Sequence, residues 1–422
     1  MIRLITVTLL STMAVLSCSK ETKKSFKISN TGGLKPTTHP LLVYKNEGVA
    51  EIYADPEHFN PEDPIYAVQL PFNWTQEQLG QYGNVIKFQP GMSLMELTDS
   101  QRDELAIAVH EAGMGCGGPR RLENLSEPKP NLAVAPLMPL QQDPQVQSII
   151  NHIDGSTIKE VVESLSSLST RHHNSETGKK VAEGMLQKYK SLWNESIPVT
   201  FEEVKHTGTN QPSFRVRIEG TSQSNEVLVL GSHIDSIARG GAAPGADDNA
   251  SGTGTNLEIF KMLMEHGKQP TRTIEIHGYA AEEIGLVGSK EMAKEYKSKN
   301  INVVAMVQFD MNLYKDSGSE DKIWFVSNNT NADFNTQLEK LVDLYVKVPY
   351  ARKSLFGGSS DHASWNSQGF VAAFPFENPQ GYNNSIHTPN DTIAKSGAFS
   401  QAASFAKLGF AYLAHFGYTE FN

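Results

Sequence analysis

Residues 227–283 constrain the fold of this chain more than any other stretch. They carry VLVLGSHIDSI, then APGADDNASGTG, then YAAEE. Each piece sets acidic or imidazole side chains at the end of an apolar run. Residues 227–230 are continuously apolar, the pattern of a strand buried on both faces. That run stops at Gly231-Ser232 and is followed by His233 and Asp235. A Gly/Pro loop then delivers Asp247 and Asp248 just ahead of a helix expected from Ser251. A strand around Ile274 and Ile276 ends at the adjacent pair Glu282-Glu283. Charged groups at the carboxyl ends of successive strands lie where an open α/β sheet forms its ligand site.

The flanking sequence continues the alternation. Ile158, Val161, Val162, Leu165 and Leu168 sit at helical spacing, as do Val181, Met185, Tyr189 and Leu192. Phe214, Val216 and Ile218 alternate with Arg215 and Arg217, a strand with one polar face. Helices are expected over 251–266 and 332–346, and strands over 303–309, 323–326 and 370–374. Strand–helix alternation of this kind predicts an α/β fold: a mostly parallel mixed sheet covered by helices on both faces.

Ahead of it the pattern differs. Residues 1–18 read as a signal peptide, with Arg3 before an apolar run too short to span a bilayer comfortably. The run ends Val15-Leu16-Ser17-Cys18, similar to a bacterial lipobox; a lipidated Cys18 would tether the chain to a membrane. An ordinary secretory signal is the alternative, and both readings imply export, whether periplasmic, outer-membrane-anchored or extracellular. Cys116 is the only other cysteine, so the fold does not rest on a disulfide framework. Residues 19–40 form a polar tether. Residues 41–127 predict a small α+β domain with short strands and a helix over 99–112. The glycine-rich segment holding His110 and Cys116 offers too few donors for a metal site. A Pro-rich linker, 128–145, leads into the main domain, 146–422. The net charge of −10, with no basic run, gives no reason to expect nucleic acid.

Two more side chains join the strand-end set, Asp310 after the run MVQF and His387 in a polar loop. His233, Asp247, Glu283, Asp310 and His387 mix imidazole and carboxylate donors, a combination that suits zinc. Five donors serve two metals if one carboxylate bridges, and Asp247, between the others in sequence, is the expected bridge. Two metals about 3.5–4 Å apart activate water and polarise a carbonyl together. Singly, each residue has a plainer role: Asp247-Asp248 as a helix cap, Glu282-Glu283 at a helix start, Asp310 in a turn. Their shared placement favours the metal reading.

The segments GSHIDS, APGADDNASGTG, AAEEIGLVGS, QFDMN, SSDHASW and IHTPNDT closely resemble the secreted bacterial di-zinc aminopeptidases of the M28 peptidase family, of the leucyl aminopeptidase type. The resemblance runs from about residue 145 to the C-terminus, and the preceding unit resembles the pro-region of some relatives. It implies a zinc exopeptidase fold and two zinc ions per chain. His233 and Asp310 would hold one zinc and Glu283 and His387 the other, with Asp247 shared. Glu282 matches the general base, and Asp235 matches the acid that orients the His233 ring. A non-proline cis peptide between Asp247 and Asp248 is implied too. Met311, Val326, Phe374, Phe376, Tyr382 and Ile386 would line an apolar substrate pocket beside Asp361-His362, for peptides with a free N-terminus and a bulky apolar first residue. Close relatives carry two cysteines and a tyrosine before SDHASW; here Leu355 and Ser359 stand at the cysteine positions and Gly357 at the tyrosine. A carboxypeptidase would need an arginine for the substrate carboxylate, and Arg239 and Arg352 are near in sequence. A single-zinc glutaminyl cyclase would not need all five donors and Glu282 together. A non-enzymatic binding lipoprotein would show lost ligands, and none is lost.

Overall fold

The structure is a computed structural model describing residues 64–112, 119–122, 140–238, 241–355 and 359–421, with the backbone of four short strands, Val7–Leu10, Phe26–Ser29, Leu41–Asn46 and Ala50–Ala54. Cys18, Cys116, Arg239, Gly357 and most of the tether and linker lie outside the described residues. The chain divides into two units, 1–105 with 119–130, and 106–118 with 131–422.

In the first unit, Ile65–Gln69 pairs antiparallel with Met92–Glu96, which pairs antiparallel with Asn84–Gln89. That hairpin was not expected from the sequence; its outer strand is largely half-buried and has no clean alternation. The helix over 99–112 is present as Asp99–Glu111.

The second unit is built on a sheet of six strands. They are β1 (Val199–Val204), β2 (Ser213–Ile218), β3 (Gln223–His233), β4 (Arg272–Tyr279), β5 (Asn302–Gln308) and β6 (Ala372–Ala373). The spatial order is β6-β5-β3-β4-β2-β1. The four strands from β6 to β4 run parallel, and β2 and β1 add an antiparallel edge. The mixed, mostly parallel sheet is thus as expected, with β3 central. The helices α1 (Ser156–Ser166), α2 (Val181–Leu192), α3 (Gly252–His266), α4 (Val287–Ser298) and α5 (Phe399–Gly417) supply its cover.

The apolar run in β3 serves two cores. Leu228 and Leu230 join Ile274, Ile276, Ala305 and Val307 against α1, α3 and α5. Val227 and Val229 turn the other way, to Met292, Tyr296 and Trp365. Period-two alternation sends neighbours to opposite faces, so a strand covered on both sides must be apolar at every position. The arginines of β2 lie on a polar seam under α4 rather than on an open face. Arg217 Nη1 reaches Glu275 Oε1 at 2.6 Å, Arg215 donates to Tyr296 Oη at 2.9 Å, and His277 Nε2 lies 2.9 Å from Glu275 Oε2.

Three elements are shorter than expected. The 332–346 helix is α-helical over Ala332–Leu341 and finishes in a wide turn, Val342–Val346. The 370–374 strand contributes only Ala372–Ala373 to the main sheet. The next two residues, Pro375–Phe376, join Ile323–Val326 and Tyr350–Lys353 in a separate three-stranded sheet. The 251–266 helix starts at Gly252, after an irregular turn over Ala246–Ser251. A Cβ on Gly252 would stand 2.1 Å from the Phe309 carbonyl oxygen, so only glycine lets that helix start approach the end of β5.

Candidate active site

The carboxyl ends of β3, β4 and β5 open onto one buried cluster. His233 is the last residue of β3, Glu282-Glu283 follow β4, Asp310 follows β5, and Asp248 precedes α3. The His233, Asp248 and Glu283 donor atoms lie within 4.8 Å of one another. His233 Nε2 is 2.9 Å from Asp248 Oδ1 and 3.5 Å from Asp310 Oδ1. His387 Nε2 is 2.8 Å from Asp248 Oδ2 and 3.2 Å from Glu283 Oε2. Asp248 therefore turns one oxygen to each imidazole.

This corrects the expected bridge. Asp247 was to stand between the donors; the structure sets Asp248 there. Asp247 points away, its Oδ1 accepting the Leu313 N–H at 3.0 Å. Both aspartates present their backbone N–H groups to the two oxygens of Asp391, at 3.1 and 3.0 Å. With the turn clamped by its amides, consecutive side chains leave in different directions, and only Asp248 faces the imidazoles. The cis bond is shifted likewise, to Asp248-Asn249.

Asp235 lies behind the cluster. Its Oδ1 is 3.3 Å from His233 Nδ1, and its two oxygens accept the backbone N–H groups of Glu282 and Glu283 at 3.0 and 3.1 Å. One carboxylate thus orients the imidazole and holds both glutamates in register. Burial works against its charge, but His233 and the two amides prevail and lower its pKa. Asp310 receives the Ser360 hydroxyl at 2.6 Å, and Asp361 accepts from Gln308 at 2.9 Å. His362 Nε2 lies 3.1 Å from the Asn328 carbonyl, so this pair supports the wall.

Glu282 is fully buried, and neither of its carboxylate oxygens has a hydrogen-bond partner among the described residues; the same holds for Asp310 Oδ1. Burial raises Glu282 well above the carboxylate range despite His233 nearby. Burial and Asp248 lift Glu283 to about 7. Burial opposes charge on His387, yet Glu283 and Asp248 carry it up to about 10. Densely packed acids with orphaned oxygens around two imidazoles are a donor set that a divalent cation satisfies.

The backbone at the site is strained at three non-glycine positions. Ala281 before Glu282, Met311 after Asp310, and His387 itself adopt φ values of 54°, 53° and 58°. Non-glycine residues there cost on the order of 1–3 kcal/mol each and persist where surrounding structure fixes them, commonly at functional sites.

Beside the cluster, Met311, Val326, Phe374, Phe376 and Ile386 pack together with Tyr382 at the edge, and Leu355 joins them. All six residues expected to line a pocket are thereby brought together.

Arg171 was missed. It is fully buried and has no carboxylate ion pair among the described residues. Its guanidinium donates to the carbonyls of Ile234 (3.1 Å), Gly245 (2.9 Å), Leu165 (3.4 Å) and Pro244. It joins the strand end bearing His233 and Asp235 to the turn bearing Asp248. No periodicity marks such a residue. Asp391, equally unassigned, lay within the quoted IHTPNDT segment.

The fold and this donor set define a metallopeptidase class, with an imidazole–carboxylate centre at the strand ends of an α/β sheet. Residues 215–408 match Peptidase family M28. A probable leucine aminopeptidase of Arthroderma otae is 32% identical over 343 residues, 76% of this chain and 92% of that protein, and one of Arthroderma benhamiae is 33% identical over 64% of this chain and 75% of its own length. The crystal structure of LapB from Legionella pneumophila superposes with a TM-score of 0.71 at 25% identity, covering 84% of this chain and 100% of LapB. Legionella pneumophila LapA aminopeptidase gives 0.71 at 24% identity, covering 85% and 100%. This chain belongs to peptidase family M28, and it is a metal-dependent aminopeptidase of that family.

Proposed function

We propose that the enzyme binds two zinc ions and removes bulky apolar residues from the N-termini of peptides. The observation that carries this reading is the Asp248 carboxylate, with one oxygen toward each imidazole at 2.9 and 2.8 Å. His233, Asp310 and Asp248 would hold one ion, and His387, Glu283 and Asp248 the other. When bound, such ions supply Lewis acidity and bring the pKa of water from its bulk value down to about 7.

The chain's own residues do the rest. Asp235, with Oδ1 3.3 Å from His233 Nδ1, favours the tautomer protonated there and so leaves Nε2 for the cation. Glu282, buried and without hydrogen-bond partners for its oxygens, takes the proton of the attacking water and passes it to the leaving amine. The apolar pocket receives the first side chain. A carboxylate there would be desolvated among apolar side chains, with no cation among the described residues of that cluster to meet it. Of the two arginines a carboxypeptidase could use, Arg352 is bound to Glu339 at 2.5 Å and to Thr336, and Arg239 lies outside the described residues.

Leu- and Phe-anilides should therefore be turned over with higher kcat/KM than Ala-anilide, by about tenfold or more, and Glu-anilide hardly at all. Metal analysis of the purified enzyme, paired with this series, tests the reading. One zinc per chain, or a preference for Glu, Lys or Arg, would sink it. We further propose, from the leader-like residues 1–18, that the enzyme acts after export, tethered to a membrane through Cys18. Radiolabelled palmitate incorporation in wild type and Cys18→Ala tests this tether.

A further inference from the structure

Next to the apolar cluster beside the proposed metal donors lies a groove of about 350 Å³, lined by Tyr314, Lys315, Lys322, Trp324, Asn378 and Gly381 among others. Its position follows from the strand Ile323–Val326. Ile323 and Phe325 enter the main core. Val326 turns the other way, into the apolar cluster, and Trp324, two residues earlier, shares its face. Phe376, another pocket residue, is the cross-strand partner of Trp324. Two further segments connect the site to the groove. The chain passes from Asp310 and Met311 to Tyr314, and from Asn378 and Gly381 through Tyr382 to His387. Pocket and groove therefore share a wall.

The groove is lined by two lysines, Lys315 and Lys322, and two acids, Asp316 and Glu320. Lys315 is committed to Asp321 at 2.5 Å, and Asp316 accepts the Tyr314 hydroxyl at 3.2 Å. Lys322 and Lys353 place their ammonium groups 4.1 and 6.0 Å from the centre of the Trp324 ring. Among the described residues neither lysine has a carboxylate ion pair. The remaining acid, Glu320, is exposed at the rim. Of Lys322 and Lys353, the former lines the groove, held over the Trp324 face and open to a carboxylate.

The spacing suits a peptide. In an extended chain, residues one and three point to the same side, roughly 6.6–6.8 Å apart. Val326 and Trp324, being i and i+2 on one strand, have the same separation. An extended substrate lying along this strand with its first side chain at Val326 sets its third residue against Trp324.

We propose that this groove is a substrate subsite for a carboxylate at the third residue, either the C-terminal carboxylate of a tripeptide or an acidic third side chain, paired with Lys322. This rests on the aminopeptidase reading above and adds a preference that reading does not contain. The test uses the zinc-loaded full chain with Leu-Gly-Gly, Leu-Gly-Gly-amide and Leu-Gly-Asp-amide. In wild type, kcat/KM for Leu-Gly-Gly should exceed that for its amide about fivefold. Leu-Gly-Asp-amide matching Leu-Gly-Gly shows that a side-chain carboxylate serves; matching the amide instead assigns the subsite to the C-terminus of tripeptides. In Lys322→Gln the acid-to-amide ratio should fall to about one, and in Lys322→Arg it should persist. Titration calorimetry of the same peptides on zinc-loaded Glu282→Gln, which turns over little, reads the ratio in Kd. Leu-anilide hydrolysis by wild type tests the parent reading separately. Equal constants for Leu-Gly-Gly, its amide and Leu-Gly-Asp-amide in wild type, or a ratio unchanged by Lys322→Gln, overturns the subsite.

Discussion

Replacing Arg171 by methionine should cost the second unit about 3–5 kcal/mol. The side chain is fully buried and its nitrogens reach four carbonyls, those of Leu165, Ile234, Pro244 and Gly245. Hydrogen bonds from a charged donor are worth about 1.5–3 kcal/mol each, and a buried carbonyl left unpaired costs about 1–3. The Leu165 bond is long, and contributions within one group do not add, so the total lies below the simple sum. Charge also counts, since the guanidinium lies in the field of Asp391, Asp235, Asp248 and Glu283. At about 2–4 °C per kcal/mol for a domain of this size, the melting temperature should fall by about 10 °C. Because Ile234 and Gly245 flank His233 and Asp248, zinc affinity should drop by about 10–100-fold, as for other groups that orient metal ligands. Arg171→Lys keeps the charge but cannot reach four carbonyls, and should recover part of the stability and less of the affinity. Thermal melts of the metal-free protein and competitive zinc titration measure the two effects. Arg171→Met with wild-type melting and wild-type zinc affinity would refute the reasoning.

Glu282→Gln should lower kcat by about 10²–10⁴-fold while zinc content by mass spectrometry stays at the wild-type level. Asp248→Ala should lose zinc from both positions, whereas Asp247→Ala should keep both ions and lose thermal stability instead; the reverse pattern in metal analysis would restore Asp247 as the bridge. Glu275 is buried in the seam beneath α4, and although burial opposes its charge, His277, Tyr296 and Arg217 lower its pKa to about 2. A depressed acid contributes stability that is complete above its unfolded pKa, about 4.3, and is lost as pH falls through the folded value. The gap in unfolding free energy between wild type and Glu275→Gln should thus close between about pH 4.5 and pH 2 in denaturant titrations.

The main sheet was legible because β3, β4 and β5 are buried on both faces and end in polar residues, so periodicity and punctuation agree. The helix at 332–346 was overextended because apolar spacing persists through Tyr345, while the wide turn that ends it at Lys347 leaves no mark in hydropathy. The choice between Asp247 and Asp248 was beyond the sequence for a different reason. Adjacent identical residues differ only in direction, and that direction is set by Asp391, far along the chain. Arg171 is a similar case, since its role depends on carbonyls from three separate segments and not on any neighbour in sequence.

The proposed metal donors are drawn from positions 233, 248, 283, 310 and 387, with His387 far beyond the others in sequence. On the proposed assignment, His233, Asp248 and Asp310 are synthesised well before His387, so a nascent chain would hold all three donors for one ion and two of three, Asp248 and Glu283, for the other. Contacts this distant in sequence form late, after the loops between them have closed. Zinc bound to the finished donor set would stabilise the folded sheet by mass action. A chain truncated before His387 would keep one set of donors and have no means of making the second.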